Sequence, residues 1–359
     1  MSNAERGVSA AALAGAVATI FVAAGVRESD AALVAGDLVA ADVEGVASHG
    51  VALAPMYVER LLAGSVSKVS AGEVVSDREA AVVIDAKDVL GQLTARQAAS
   101  LAVERAKRYG LGAVALRNAF HFGAAGRYAR MMADQRCVGI VMANTRPLMP
   151  APGGAEPLTG NNPLAIAAPG DAAFAPEIDM ALSAVAMGKI RNAAAAGEPI
   201  PEGWAADRTG APTTDPKAAI EGMLLPAAGP KGYGLAFLID LLCGGLSGGA
   251  IGAEVAPLYG DPARPYRCSS LFLAIDVAHF AAPDAFATRA GAELRRVASS
   301  RRAPGVARVY APGEFAYAAR EAAQGRCHVP AAALKSLVET GRKLGVDVAP
   351  LLSKEGSPS

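Results

Sequence analysis

Four polar residues occupy positions where their chemistry could be used. His49 lies in Gly45-Val-Ala-Ser48-His49-Gly50, and glycines on both sides let a backbone come close to a ligand. An imidazole there can give or take a proton near neutral pH. Taken alone, such a histidine is more often a core or helix-capping residue. His121 lies in Asn118-Ala-Phe-His121-Phe-Gly123-Ala-Ala-Gly126, just past a predicted strand end, where α/β folds commonly bind ligands. It is equally ambiguous by itself. Asp179 stands at the start of a predicted helix, where a carboxylate can serve only to cap free N–H groups. Lys231, in Gly229-Pro-Lys231-Gly232-Tyr-Gly234, precedes another helix. Its charge and the free N–H groups of that helix start offer a site to an anion.

The elements that must carry these residues can be read from spacing. Leu13, Val17, Ile20 and Phe21 fall at helical intervals behind Ser9, a predicted N-cap. A second helix is predicted from Ser29 as cap, with Leu33, Val34, Asp37, Leu38 and Ala41. After the turn at Gly45–Gly50, Pro55 opens a third helix that stops at Gly64. Then strands at Ala81–Asp85, Gly112–Leu116 and Val138–Met142 alternate with helices at Thr94–Tyr109 and Ala124–Gln135, a pattern of α/β layering. Prolines and glycines rule out regular structure from Asn144 to Pro163. A loop of that length fits a binding loop and a plain surface connection about equally. Helices are predicted again at Met180–Ala196, Gly234–Leu246 and along the tail from Pro312 to Val346, with a strand at Ser269–Asp276.

Composition narrows the function classes. The chain has 359 residues, more than one simple core usually holds, so two or three packed subdomains are expected. Hydrophobic residues make up 52% and aromatics only 5%, which suits close helix and sheet packing. Formal net charge is zero and no basic stripe is present, against a nucleic-acid partner. Cys137, Cys243, Cys268 and Cys327 form no CxxC pair, so neither a zinc site nor a redox dithiol is expected, and a reducing cytoplasmic setting fits. With four histidines and no HExxH, no metal is expected. Residues 9–26 lack a positive leader, since Glu5 neighbours Arg6, and they read as a helix rather than a signal peptide. The apolar stretch from Gly234 contains Asp240 and many glycines, and reads as a buried helix ending in a turn, not a membrane span.

Two familiar motifs fail on context. Gly110-Leu-Gly112-Ala-Val-Ala115 matches the glycines of a dinucleotide fingerprint, but a helix precedes it and a strand follows, the reverse of what that fingerprint needs. Gly245-Leu-Ser247-Gly-Gly249 matches a nucleophile elbow, yet it ends a helical pattern and reads as a helix stop.

The ordered series of motifs resembles the malate/L-lactate dehydrogenase type 2 family, also called malate/sulfolactate dehydrogenase-like. The series runs through Ala41-Asp42, Gly45-Val46, Ser48-His49-Gly50, His121-Phe-Gly-Ala-Ala-Gly126, Pro152-Gly-Gly154, Asn162-Pro163, Asp179-Met180, Gly188-Lys189, Ile200-Pro-Glu-Gly-Trp204, Pro212-Thr-Thr-Asp-Pro216 and Lys231-Gly-Tyr-Gly-Leu235. It covers nearly the whole chain. The resemblance implies a non-Rossmann α/β fold with a mixed central sheet. It also implies a helical domain from both termini, residues 1–72 with 315–359, beside a cofactor- and substrate-binding region, 73–314. It implies NAD or NADP as cofactor, a small carboxylate as substrate, and a homodimer with active sites near the subunit interface. The activity implied is hydride transfer to malate-, lactate- or sulfolactate-type 2-keto acids, or alternatively to cyclic imines such as Δ1-pyrroline- or Δ1-piperideine-2-carboxylate.

By that resemblance His49 is the acid/base, Asp179 orients it and Ser48 adds a hydrogen bond. Asn118 and His121 line the substrate pocket. Asn162, Met180, Ala181, Ser183, Lys231 and the Gly313-Glu314 turn face the cofactor. This chain departs from the family where Glu44 replaces a common Arg, which leaves a dicarboxylate such as malate one cation short. Arg146, at a loop position where small residues are common, can supply a carboxylate fork. Leu182 and Asn161 replace common threonines, at positions that bear on cofactor contacts.

Overall fold

The computed structural model describes residues 5–352. Its centre is a seven-stranded mixed sheet, in the spatial order Glu73–Arg78, Ala81–Asp85, Leu111–Ala119, Cys268–Asp276, Cys137–Ala143, Leu164–Ala167, Glu177–Met180. The pair Ala81–Asp85 and Leu111–Ala119 is parallel, joined by the helix Gly91–Tyr109, and the other five pairings are antiparallel. Alternation along the strands divides the apolar residues between two layers. Val114, Leu116, Val141 and Phe272 enter a large core with the helices Gly91–Tyr109 and Ala125–Asp134. Ala115, Met142 and Leu271 face a smaller one, with Ile239 and Cys243.

The terminal segments fold together. Glu5–Ser9 pairs antiparallel with Arg326–Pro330, so a strand interrupts the predicted helical tail between Glu314–Ala323 and Ala331–Lys343. The helix Ala10–Ala23 begins where expected, with Ser9 accepting from Ala12 N–H at 3.5 Å. Its Leu13, Val17, Ile20 and Phe21 are fully buried. The next helix, Glu28–Val43, starts before Ser29, with Arg27 at the cap position and paired to Asp30 at 2.9 Å.

The expected helix from Met180 begins only at Met187. Residues 177–180 form the edge strand, and the following backbone bonds outward. Leu182 N–H donates to Asn161 O at 2.7 Å and Ala184 N–H to Leu225 O at 2.8 Å, so these amides cannot serve an α-helix. The apolar segment from Gly234 is the helix Pro230–Asp240 continued by a π-turn at Leu241–Gly245. Ser247 there is buried, with its hydroxyl donating to Cys243 O at 2.6 Å, a helix stop and not a nucleophile. All four cysteines are buried and unpaired. Among the described residues no helix is long and apolar enough to cross a membrane, and no group of three or more His, Cys, Asp or Glu side chains could hold a metal.

Candidate active site

Register places most of the candidate residues along one edge of the sheet. Cys268 pairs with Ala119, Ser270 with Ala143, Met142 with Leu164, and Leu164 with Met180. Asn118, His121, Arg146, Asn162, Asp179 and Met180 therefore stand at or just beyond the same strand ends. The three-residue turn Ala47–His49 brings the His49 ring against His121 at these strand ends.

His49 and His121 stack there, with ring centroids 5.5 Å apart and planes 20° from parallel. Ser48 Oγ lies 2.9 Å from His49 Nδ1, which leaves Nε2 for a ligand. Tyr57, on the helix Ala54–Ala63, places its hydroxyl 2.6 Å from His121 Nδ1. Burial lowers the pKa of both imidazoles. His121, which also feels His49, is taken down to about 3. Both rings are therefore neutral at pH 7 in the free protein.

The glycines of His121-Phe-Gly-Ala-Ala-Gly126 let this turn reach two places at once. A Cβ at Gly126 would lie 2.3 Å from Glu177 Oε1, so a side chain there would push the Glu177 carboxylate off its place on Arg130. Gly126 N–H donates to Asp179 Oδ2 at 2.7 Å. Asp179 thus caps the helix Ala125–Asp134 from a neighbouring strand instead of starting a helix of its own. The surrounding protein raises its pKa, although this bond and Arg130 oppose the rise.

A small cleft beside His49 is lined by Asp37, Glu44, Gln92, Gly123 and Arg127. Its charges are neutralised in place. Asp37 is gripped by Arg96 and Arg127. Arg130 bridges Glu44 and Glu177, each at 2.7 Å, and Arg320 adds to Glu44 at 3.3 Å. Glu44 is therefore occupied by two cations. Arg146 is exposed, with no ion pair among the described residues. It lies near enough to Tyr266 for its charge to oppose the burial that raises that phenol's pKa.

The remaining candidates divide into free and engaged groups. Asn118, with a left-handed φ of 49°, gives its amide to Asp85 at 3.0 Å. Asn162 is fully buried and doubly used, accepting from Thr145 N–H at 2.9 Å and donating to Ala236 O at 2.8 Å. Ser183 donates to Val185 O at 2.8 Å. Glu314 is buried and holds Arg308 and Ala311 N–H. Gly313 packs its turn against Ala175 and Glu177. Met180 is exposed and Ala181 half-buried. Leu182 O accepts from Ala227 N–H at 2.9 Å, tying this segment to the approach of the helix Pro230–Asp240. That helix has no side-chain cap, and Lys231 is exposed in its first turn without an ion pair among the described residues. Free N–H groups with an unpaired cation suit the phosphates of a dinucleotide. Sequence reasoning missed Tyr57 and Gln92 as members of the site. The only signal for Tyr57 was its place on a helix face, which reads as core.

The sequence model of the malate/L-lactate dehydrogenase family matches residues 8–338. L-sulfolactate dehydrogenase of Methanocaldococcus jannaschii is 39% identical over 293 residues, 81% of this chain and 83% of the relative. The solved sulfolactate dehydrogenase structure from that organism superposes with a TM-score of 0.91 at 34% identity, covering 96% of this chain and 99% of the other. Ureidoglycolate dehydrogenase (NAD(+)) of Escherichia coli O157:H7 is 35% identical over 81% of this chain and 83% of its own length. Δ1-piperideine-2-carboxylate reductase from Pseudomonas syringae superposes with a TM-score of 0.83 at 30% identity, over 93% of this chain and 99% of the other.

Proposed function

The chain belongs to the malate/L-lactate dehydrogenase family and is an oxidoreductase, and on that premise we propose that it moves a hydride between NAD or NADP and a small 2-keto or 2-hydroxy carboxylate, with His49 as proton donor and acceptor. The observation that carries this reading is the stacked His49–His121 pair at the sheet edge, with Ser48 on His49 Nδ1. A bound nicotinamide supplies or accepts the hydride. In oxidation, neutral His49 takes the hydroxyl proton at Nε2. In reduction, protonated His49 returns it as negative charge grows on the substrate oxygen. Lys231 and the uncapped helix start hold phosphate. Arg146, which has no ion pair among the described residues, receives the substrate carboxylate. The protein works as a homodimer in a cytoplasmic setting.

A second reading, cyclic-imine reduction, is favoured by the likeness to the P. syringae enzyme. It uses the same histidine to protonate nitrogen. A spectrophotometric panel pairing NADH and NADPH with keto acids and cyclic imines separates the two. His49→Ala should lower kcat by roughly 10²–10⁴ on the active substrate, the usual loss for an acid/base group, with cofactor affinity nearly unchanged. Wild-type turnover in that variant would remove His49 from the role.

A further inference from the structure

Tyr57 is fully buried, and its hydroxyl meets three groups. Gln92 Nε2 donates to it at 3.4 Å, His121 Nδ1 lies at 2.6 Å and His121 O at 3.3 Å. A phenol has one proton to give. With the Gln92 amide already donating to its oxygen, that proton is free to go outward, and the shorter contact is to Nδ1. An imidazole that accepts at Nδ1 and is neutral carries its proton at Nε2, since one ring nitrogen donates while the other accepts. The two ring nitrogens point to nearly opposite sides. A ring whose Nδ1 faces the buried Tyr57 therefore turns its Nε2 away from that phenol.

We propose that Tyr57, oriented by Gln92, is a positioning residue that holds His121 as the neutral Nε2–H tautomer, so that His121 presents a fixed hydrogen-bond donor beside His49. The ligand group this donor takes is an acceptor, a carbonyl or carboxylate oxygen of the substrate. Division of labour follows from the geometry. His49 has a serine hydroxyl at Nδ1, which can either give or accept a proton and so tolerates a ring that changes charge. His121 has a partner committed by the amide behind it. Burial and the neighbouring imidazole also keep His121 uncharged. The consequence for substrate binding rests on the function proposed above, whereas the tautomer does not.

The chain has four histidines, so long-range ¹H–¹⁵N correlation spectra of imidazole-labelled protein at pH 7.5 are simple to assign, using His121→Asn to identify the ring. Wild-type His121 should show a protonated Nε2 and an unprotonated Nδ1. Tyr57→Phe should replace this with an averaged mixture of tautomers. Gln92→Glu should reverse it, because the introduced carboxylate accepts the phenol proton and His121 must then donate from Nδ1. With an active substrate, Tyr57→Phe should raise KM about 10-fold, one oriented hydrogen bond's worth, and lower kcat by less. A wild-type ring protonated at Nδ1, or a tautomer indifferent to both substitutions, overturns the proposal. So does an unchanged KM in Tyr57→Phe. If wild-type protein turned over no substrate in the panel, the functional reading would fall, and the spectra alone would decide for or against Tyr57.

Discussion

Among the described residues no carboxylate bonds His49, and burial alone lowers its pKa, which in the proposed reaction sets the pH behaviour of both directions. Its neutral form is the base that oxidation requires. kcat/KM for a hydroxy acid should therefore stay level through neutral pH and fall only on the acid side of the ordinary histidine value, about 6.5. Reduction needs the protonated form, so its kcat/KM should already be declining as pH rises through that same acid region. A bound substrate carboxylate favours the imidazolium. The break seen in kcat should accordingly lie higher than that in kcat/KM. An oxidation limb with its midpoint above pH 7 in free enzyme would contradict this. The same shifts bear on stability. Two histidines whose folded pKa values lie below their unfolded ones give a contribution complete above about 6.5 and lost as pH falls, for His121 down to about 3. Arg146 is open to a separate test. Arg146→Lys keeps charge and loses the planar fork, so KM for the keto acid should rise by roughly 10-fold while NAD(P)H binding holds. Unchanged KM in both Arg146→Lys and Arg146→Ala would remove it from the substrate site, and a selective loss of NADPH binding would assign it to the cofactor phosphate.

The helix Ala54–Ala63 places two of its side chains, Tyr57 and Arg60, three residues apart on one inward face. Tyr57 reaches His121. Arg60 is buried and, among the described residues, bonds no carboxylate, donating to Arg264 O and Leu258 O at 2.8 Å and Pro257 O at 3.2 Å. Those carbonyls belong to the loop that leads to Tyr266, whose ring meets Phe120 edge-on at 6.3 Å. Arg60→Met keeps most of the volume and strands the carbonyls, at about 1–3 kcal/mol for each one left dry. The urea midpoint should fall, and hydrogen exchange should quicken across residues 254–267 ahead of the central strands. Equal midpoint and equal exchange would show that the loop does not depend on the clamp. Arg60 gave no sign of this in the sequence, where an arginine in an amphipathic helix reads as solvated. The carbonyls it holds stand some two hundred positions away. The same distinction runs through the fold. The Ala10–Ala23 helix, the glycine-bounded turn at His49 and the Ala81–Asp85 strand follow from local spacing, and they were legible. The Glu177–Met180 strand was not. It has four residues, its burial does not alternate, and what holds it is pairing with Leu164–Ala167. The roles proposed for His49 and His121 came from an ordered series of motifs. That Asp179 bonds the helix at Gly126 could be seen only after folding.

At the scale of the whole molecule, the described residues leave a broad apolar surface uncovered. Along the helix Pro230–Asp240 and the π-turn after it, Leu235, Leu238, Leu242 and Leu246 recur at intervals of three and four, with exposures of 39, 55, 38 and 61%. Phe237 and Leu241 flank them, at 48 and 41%. Exposed apolar side chains gathered this way mark an association surface. No charged residue occurs between Lys231 and Asp240, and with net charge zero two copies carry no net repulsion, so this is the face on which the proposed homodimer would form. Because Lys231 opens this helix and the His49 cleft shares its sheet, losing the dimer should also cost activity. Leu238→Asp puts a charge at the centre of the stripe. The side chain is more than half exposed in one protomer, so the protomer should still fold and keep its far-ultraviolet circular dichroism. In the dimer the carboxylate would be buried against leucine. Removing a central apolar anchor from an interface commonly costs about 2 kcal/mol or more, roughly a 30-fold weaker association. Sedimentation velocity over a dilution series should show dimer for the wild-type chain and monomer for Leu238→Asp at micromolar concentration, with turnover tracking the dimer fraction. A wild-type chain fully active as a monomer at high dilution would show that this face is not what completes the site.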